Sequence, residues 1–257
     1  MTATALDGTN EDAGEVAGAV LGLLAGSEVA PLPRHRHQLS RDDVRKSQIA
    51  RILASAIELF ADQGYAETKV LDIAKRAGVS RKTFYELYDS KEDVFLDTYR
   101  AVVQVLVDGT AQGADEHTIT PETLPAMVES GLALLVLAPA ATRMFFLEAL
   151  GAGSRVRARR NEAITEFVAA LTPPLRALRA EVEPDLPMLS SRLCHAIAAA
   201  IIELIVEFLV HSGPEQILQL APEITQLIAA IVIPNHYAAF AESDRSGVGE
   251  VGRNLVD

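Results

Sequence analysis

The sequence predicts an all-α protein: a three-helix helix-turn-helix unit near the N-terminus, followed by a helical bundle. Three observations carry this. The 257 residues are rich in Ala and Leu, with 5% aromatic residues and no Trp, and lack long alternating runs of Val, Ile and Thr, which favours helices throughout. Residues 68–91 read as two short helices around a glycine turn. From there to about Asn235, apolar residues recur at helical spacing between Pro and Gly breaks.

Residues 1–33 contain no Lys or Arg, and Glu11, Asp12 and Glu15 precede an apolar run from Val16 to Ala25. A secretory leader would start positive, and the run is too short to span a bilayer. Residues 1–40 are therefore expected to be a disordered acidic tail, with room for a short helix around 14–25, and a basic arm beginning at Arg34, His35, Arg36 and His37. The arm, continued by Arg41, Arg45 and Lys46, either touches DNA or is a polar linker. Arg45, nearest the folded unit, is the candidate contact.

The first helix is expected over 41–63, with Ile49, Ile52, Leu53, Ala56, Ile57 and Phe60 inward and Gly64 ending it. Tyr65 packs beneath the turn unit. In 68–91, Val70, Ile73, Ala74 and Ala77 form one apolar face, and Gly78 supplies the left-handed turn. Ser80 caps a second helix whose Phe84 and Leu87 point inward. Arg81, Lys82, Thr83 and Tyr85 then form an outward donor face at the helix start, where a recognition helix meets base edges. Tyr88 and Lys91 lie on the flank, placed for phosphates. An ordinary solvated surface is the alternative.

The formal net charge is −12, yet residues 34–91 hold twelve Lys or Arg against eight Asp or Glu. Nucleic-acid affinity follows local basic surface, so a basic head on an acidic body is consistent with DNA binding.

Residues 49–100 resemble the DNA-binding domain of the TetR family of bacterial transcriptional regulators. The resemblance rests on Ala56, Ile57, Glu58, Leu59 and Phe60, on Gly64, Tyr65, Thr68 and Val70, and on Asp72, Ile73 and Ala74. It continues through Ala77, Gly78, Val79, Ser80, Thr83, Tyr85, Tyr88, Ser90, Lys91 and Glu92. Lys69, Lys82 and Tyr88 depart from the usual pattern. The resemblance implies a DNA-binding domain at 41–91, a ligand-binding and dimerisation domain at 92–235, and a frayed tail at 236–257. It implies a homodimer joined through the last two long helices, reading a palindromic operator as a repressor released by a small apolar or amphipathic inducer. The place of work would be the cytoplasm, at the nucleoid when DNA is bound. Base contacts would come from Arg81, Lys82, Thr83 and Tyr85, and phosphate contacts from Arg45, Thr68, Lys69, Tyr88 and Lys91.

Ser90 with Asp93 resembles a capping box opening a fourth helix through Phe95, Tyr99, Val102 and Leu106. By family analogy this helix is the lever between head and body. Residues 108–121 are expected to be a loop, and helices are expected near 122–137, 139–151, 154–172, 184–212 and 214–232, with Pro173 and Pro174 as one break. Leu193 to Val210 is the most apolar stretch, but His195, Glu203 and Glu207 interrupt it, which favours a buried helix over a membrane span. Leu193, Ile197, Ala200, Leu204 and Phe208 suit a dimer interface, as do Ile217, Leu220, Ile224, Leu227 and Ile231.

Candidate pocket residues are Met127, Leu134, Met144, Phe145, Phe146, Leu147, Phe167 and Leu171, although such stripes are more often core than pocket. Glu203 and Glu207, a turn apart, are expected to pair with an Arg or to meet a cationic inducer, and Glu203 is kept as a candidate ligand contact. His195 is expected to be interior. Arg155, Arg157, Arg159 and Arg160 read as a solvated face. The single cysteine, Cys194, excludes an internal disulfide and reads as a small buried hydrophobe. No metal-ligand spacing, phosphate loop or nucleophile elbow is present, so neither a cofactor nor enzymatic chemistry is expected. A helical ligand-binding or scaffold protein that no longer regulates transcription remains the second reading.

Overall fold

The computed structural model describes residues 40–116, 119–149 and 151–237 together with Gly18, Val20 and Gly22; for 105–116 it describes the backbone alone. The expected basic arm at 34–37 and the tail from 238 lie outside these residues. Gly18, Val20 and Gly22 are helical, and Val20 is 1% exposed, packed into the first of two apolar clusters.

All regular elements among the described residues are helical. α1 (Arg41–Glu67) starts on a full capping box: Ser40 Oγ accepts from the Asp43 amide at 3.0 Å, and the Ser40 amide donates to Asp43 Oδ2 at 2.9 Å. Gly64, at φ +82°, breaks it one turn before its end. α2 (Val70–Arg76) and α3 (Arg81–Leu87) follow, joined by a Schellman turn. Val79 donates to Ala74 O at 3.0 Å and Gly78 to Lys75 O at 3.2 Å, with Gly78 at φ +65°. Ser80 then accepts from the Thr83 amide at 3.0 Å, which caps α3.

α4 (Lys91–Glu116) runs on into the expected loop as far as Glu116. Gly109 and Gly113 disfavour helix only by about 1 kcal/mol each, which a long packed helix outweighs. α5 (Leu124–Leu137) turns sharply into α6 (Pro139–Arg143), which continues as a π-helical turn over Met144–Glu148. α7 (Ser154–Val182) passes through Pro173 and Pro174 without ending. The two rings remove the donors for the carbonyls of Ala169 and Ala170, but Ala169 and Pro173 sit on the exposed side, where water can replace one. Inward burial of Leu175 and Leu178 holds the helix together past the break. α8 (Ser191–His211), a 3-10 segment (Pro214–Leu220) and α9 (Ala221–Val232) complete the bundle.

The apolar interior divides in two. The first cluster joins α1 to α4 with Met144, Val156 and Ala163, and therefore crosses the expected boundary at 91/92. The second joins α5, α7, α8, the 3-10 segment and α9. α8 has mean hydropathy 2.2 and passes the length test for a membrane span. Its Cys194, Ile197, Ile201, Ile205 and Leu209 are nonetheless packed into the second cluster.

Arg179 closes the bundle from within. Its Nε donates to Val232 O at 2.9 Å, its Nη1 to Pro187 O at 2.9 Å, and its Nη2 to Ile231 O. A buried guanidinium thus caps α9. Arg179→Ala is expected to lower the unfolding free energy by about 2–3 kcal/mol, because it leaves these carbonyls unsatisfied; urea titration checks this.

Candidate nucleic-acid interface and internal cavity

The helix-turn-helix is braced against α1 before it presents anything outward. Arg51 Nη1 donates to Ala77 O at 3.1 Å, and Arg76 Nε to Glu58 Oε2 at 2.6 Å. Phe84, fully buried, seats α3 on this base. The opposite side of α3 carries Arg81, Lys82 and Tyr85, all exposed, with Thr83 half-buried. Tyr85 is 46% exposed, and the Arg81 guanidinium lies 5.6 Å from its ring centroid. Lys82 faces Glu86 at 3.6 Å, but both are so exposed that the pair is weak and leaves the ammonium available. Arg45 and Lys69 are exposed on the same domain.

Three of the expected phosphate contacts have other duties. Thr68 is 1% exposed; its hydroxyl donates to Gly64 O at 2.8 Å and closes the broken end of α1. Tyr88 is buried, and the loss of water, then the nearby Asp97 charge, push its phenol well above the ordinary value. Lys91 Nζ donates to the carbonyls of Tyr65 at 2.6 Å, Ala66 at 3.1 Å and Thr68 at 2.9 Å. A cation at helix-end carbonyls is favourable, so Lys91 ties α4 to α1 as a cap and not, as the sequence suggested, as a phosphate contact. Thr68 is likewise turned inward to a helix-end carbonyl, and Tyr88 is buried near Asp97, so neither reaches outward to a phosphate.

Two further polar links tie head to body. The Tyr65 amide donates to Glu148 Oε2 at 2.9 Å, at the end of the π turn. Arg155, at the start of α7, reaches Asp93 at 2.9 Å and Glu92 at 3.1 Å at the start of α4. Between these links runs a chain of aromatic rings. Phe60 and Phe95 lie 5.1 Å apart, Phe95 and Tyr99 6.4 Å, Tyr99 and Phe145 4.3 Å, and Phe145 and Phe146 5.0 Å.

Phe145 and Phe146 also form one wall of a cavity of about 680 Å³ bordered by α4, α5, the π turn, α7, α8 and α9. That volume lies within the range of small-molecule sites. Met127, Leu134, Phe146, Phe167 and Leu171 line it as expected, and Phe145 does too. Met144 and Leu147 do not: Met144 is fully buried in the first cluster, accepting from Thr98 Oγ1 at 3.4 Å, and Leu147 packs on the second. Four consecutive positions cannot share one helix face: with Phe145 and Phe146 turned to the cavity, steps of about 100° carry Met144 and Leu147 to the other side. Glu203 is exposed with Ala196, Ala199, Glu207 and Val210 on the outer stripe of α8, away from the cavity. His195 is likewise exposed.

Sequence reasoning missed Tyr99, Arg160 and the isoleucines of α8 and α9 that complete the lining: Ile197, Ile201, Ile224 and Ile228. The four arginines of α7 do not form one solvated face. Arg155 pairs across to α4, Arg159 pairs with Glu162 and Glu166, and Arg160 turns to the cavity. Among the described residues, no cluster of His, Cys, Asp and Glu could hold a metal ion.

Residues 52–98 match the family model described as bacterial regulatory proteins, tetR family. The HTH-type transcriptional activator FasR of Mycolicibacterium smegmatis is 34% identical over 97 residues, covering 38% of this chain and 42% of that protein. The match thus spans less than half of that relative's length. The fatty acid degradation regulator FadR of Bacillus halodurans superposes with a TM-score of 0.61 at 21% identity, covering 70% of this chain and 94% of that one. FadR of Bacillus subtilis in complex with stearoyl-CoA gives 0.59 at 20% identity, covering 69% and 96%. These likenesses establish the fold.

Proposed function

We propose, from the chain's membership of the TetR family of bacterial regulatory proteins, that it is a sequence-specific transcriptional regulator whose hold on DNA is released by a ligand bearing an acyl chain. The observation that carries the DNA-binding reading is the outward N-terminal face of α3. Arg81, Lys82 and Tyr85 are exposed donors on a helix locked by a buried Phe84. Such a helix reads base edges in the major groove, and Arg45 and Lys69 then meet phosphates beside it.

The protein acts as a twofold homodimer on two half-sites. The outer side of α8 supports this. Leu193 and Val210 are exposed, and Leu204, Phe208, Leu227 and Ile231 remain partly so, a sizeable apolar area for a lone chain. Ile197, Ile217, Leu220 and Ile224 lie inside and are not part of that surface. The acyl-chain reading rests on a cavity whose walls are almost wholly aliphatic and aromatic, and on the stearoyl-CoA held by a protein of the same fold. Ligand in the cavity presses on Phe145 and Phe146, and Glu148 at the end of the same turn hands the displacement to Tyr65 in the head. Release of DNA by ligand makes the protein a repressor when its operator overlaps a promoter.

Fluorescence anisotropy on DNA from the promoter beside its own gene, against a scrambled duplex, tests the reading. A preference of about a thousandfold is expected. Tyr85→Ala should cut specific affinity by about tenfold or more while the fold is retained. Unchanged affinity in that variant would show that another face reads DNA, and no binding to either duplex at low salt would favour the scaffold reading.

A further inference from the structure

Arg160 is the one charged side chain among the described residues that line the cavity. Its surroundings are the reverse of what an exposed arginine has. Tyr99 lies beside it, 1% exposed on α4, and the rest of that end is Val103, Phe145, Ala163 and Ile164. Arg159, its neighbour in sequence, is neutralised by Glu166 at 2.9 Å and Glu162 at 3.6 Å. Arg160 has no hydrogen bond or ion pair with any described residue. A guanidinium turned toward an apolar space without a carboxylate loses hydration and gains nothing from the protein in return. The Tyr99 phenol also makes no hydrogen bond to a described residue. Burial pushes its pKa up, so it stays protonated as a donor, and the Arg160 charge acts directly on it.

The opposite end of the space is different. Leu175, Ile197, Ile201, Ile224 and Ile228 line it, and the two hydroxyl residues of the lining, Thr123 and Ser130, carry no charge. The cavity therefore has a direction: two unpaired donors beside α4, and a long apolar floor running into the second cluster.

We propose that the cavity takes an amphiphile with a free carboxylate, its head held by the Arg160 guanidinium and the Tyr99 hydroxyl and its alkyl chain lying along the isoleucine floor. This deepens the acyl-chain reading above and rests on it. A carboxylate accepts two parallel hydrogen bonds from a guanidinium and a third from a phenol, geometry that neither an ester nor an alcohol reproduces. It also places the ligand's only charge against α4, the helix that carries the head.

Isothermal titration of the full chain with dodecanoate, methyl dodecanoate and dodecanoyl-CoA tests this at pH 7.4. Dodecanoate should bind at least about tenfold tighter than the methyl ester. Arg160→Gln should erase that preference while leaving ester affinity in place, and Arg160→Lys, which keeps the charge but not the two parallel hydrogen bonds, should keep only part of it. Both variants keep an aliphatic stem at position 160, so little packing is removed. Tyr99→Phe should weaken the acid alone, by several-fold. Equal binding of acid and ester by the unmodified protein overturns the head-group assignment but leaves the acyl cavity standing. Thioester binding as dependent on Arg160 as that of the acid overturns the carboxylate and assigns the cation to a phosphate. Binding of none of the three overturns the acyl cavity and this proposal together.

Discussion

Phe60→Ala is expected to lower the free energy of unfolding by about 3–5 kcal/mol, the range for truncating a fully buried aromatic. Phe60 is 0% exposed, near the end of α1, and its ring meets Tyr65 at 5.5 Å and Phe95 at 5.1 Å. It is the point at which α1, the broken turn after Gly64 and α4 share one core. Truncation leaves a cavity that cannot collapse, because Gly64 is held by the Tyr65–Glu148 hydrogen bond and Lys91 pins the following carbonyls. Urea denaturation gives the number, and Phe60→Leu should cost much less because most of the volume is kept. A loss below about 1.5 kcal/mol for the alanine would mean that the head relaxes around the space, contrary to the packing described here. DNA binding should fall only in proportion to the unfolded fraction, which separates this variant from Tyr85→Ala.

Gly131→Phe is expected to act in the opposite sense. Gly131 lies in the middle of α5 and lines the cavity, and a β-carbon added there meets nothing within 4 Å. Replacing a helix-interior glycine by phenylalanine should stabilise by about a few tenths of a kcal/mol, while the new ring occupies space the acyl chain needs. Dodecanoate affinity should fall at least about a hundredfold, or 2.7 kcal/mol, with unchanged affinity for DNA in the absence of ligand. In anisotropy, the variant should stay on DNA at ligand concentrations that release the unmodified protein. A variant still released at those concentrations would place the effector elsewhere.

How far the sequence could be read depended on whether local rules acted alone. The helix-turn-helix was legible almost to the residue, because Gly78, Ser80 and Phe84 each have one physical role and the structure uses them in it. The duties of Thr68 and Lys91 were not legible. A hydroxyl or ammonium that caps a carbonyl and one that meets a phosphate look alike until the other partner is placed. In the body, Pro173 and Pro174 read as a stop, and only the buried Leu175 and Leu178 show why the helix continues. Arg160 hid among three neighbours of the same charge, since consecutive positions on a helix point 100° apart and only packing reveals which one turns inward. Glu203 misled for the converse reason: its sequence neighbours are apolar, but its own stripe is the outer one.

The π turn at Met144–Glu148 also constrains how this chain can change length over descent. It holds one residue more than an α-helical turn needs. Deleting any one of the five would restore α-helical pitch and rotate everything on one side of the deletion by about 100° against the other. Either Phe145 and Phe146 would leave the cavity wall, or Glu148 would leave the Tyr65 amide. Homologues that keep both ends are therefore expected to keep the count of residues between them, whatever the residues become. The link between α4 and α5, which touches the head at no described point, is where insertions and deletions should accumulate.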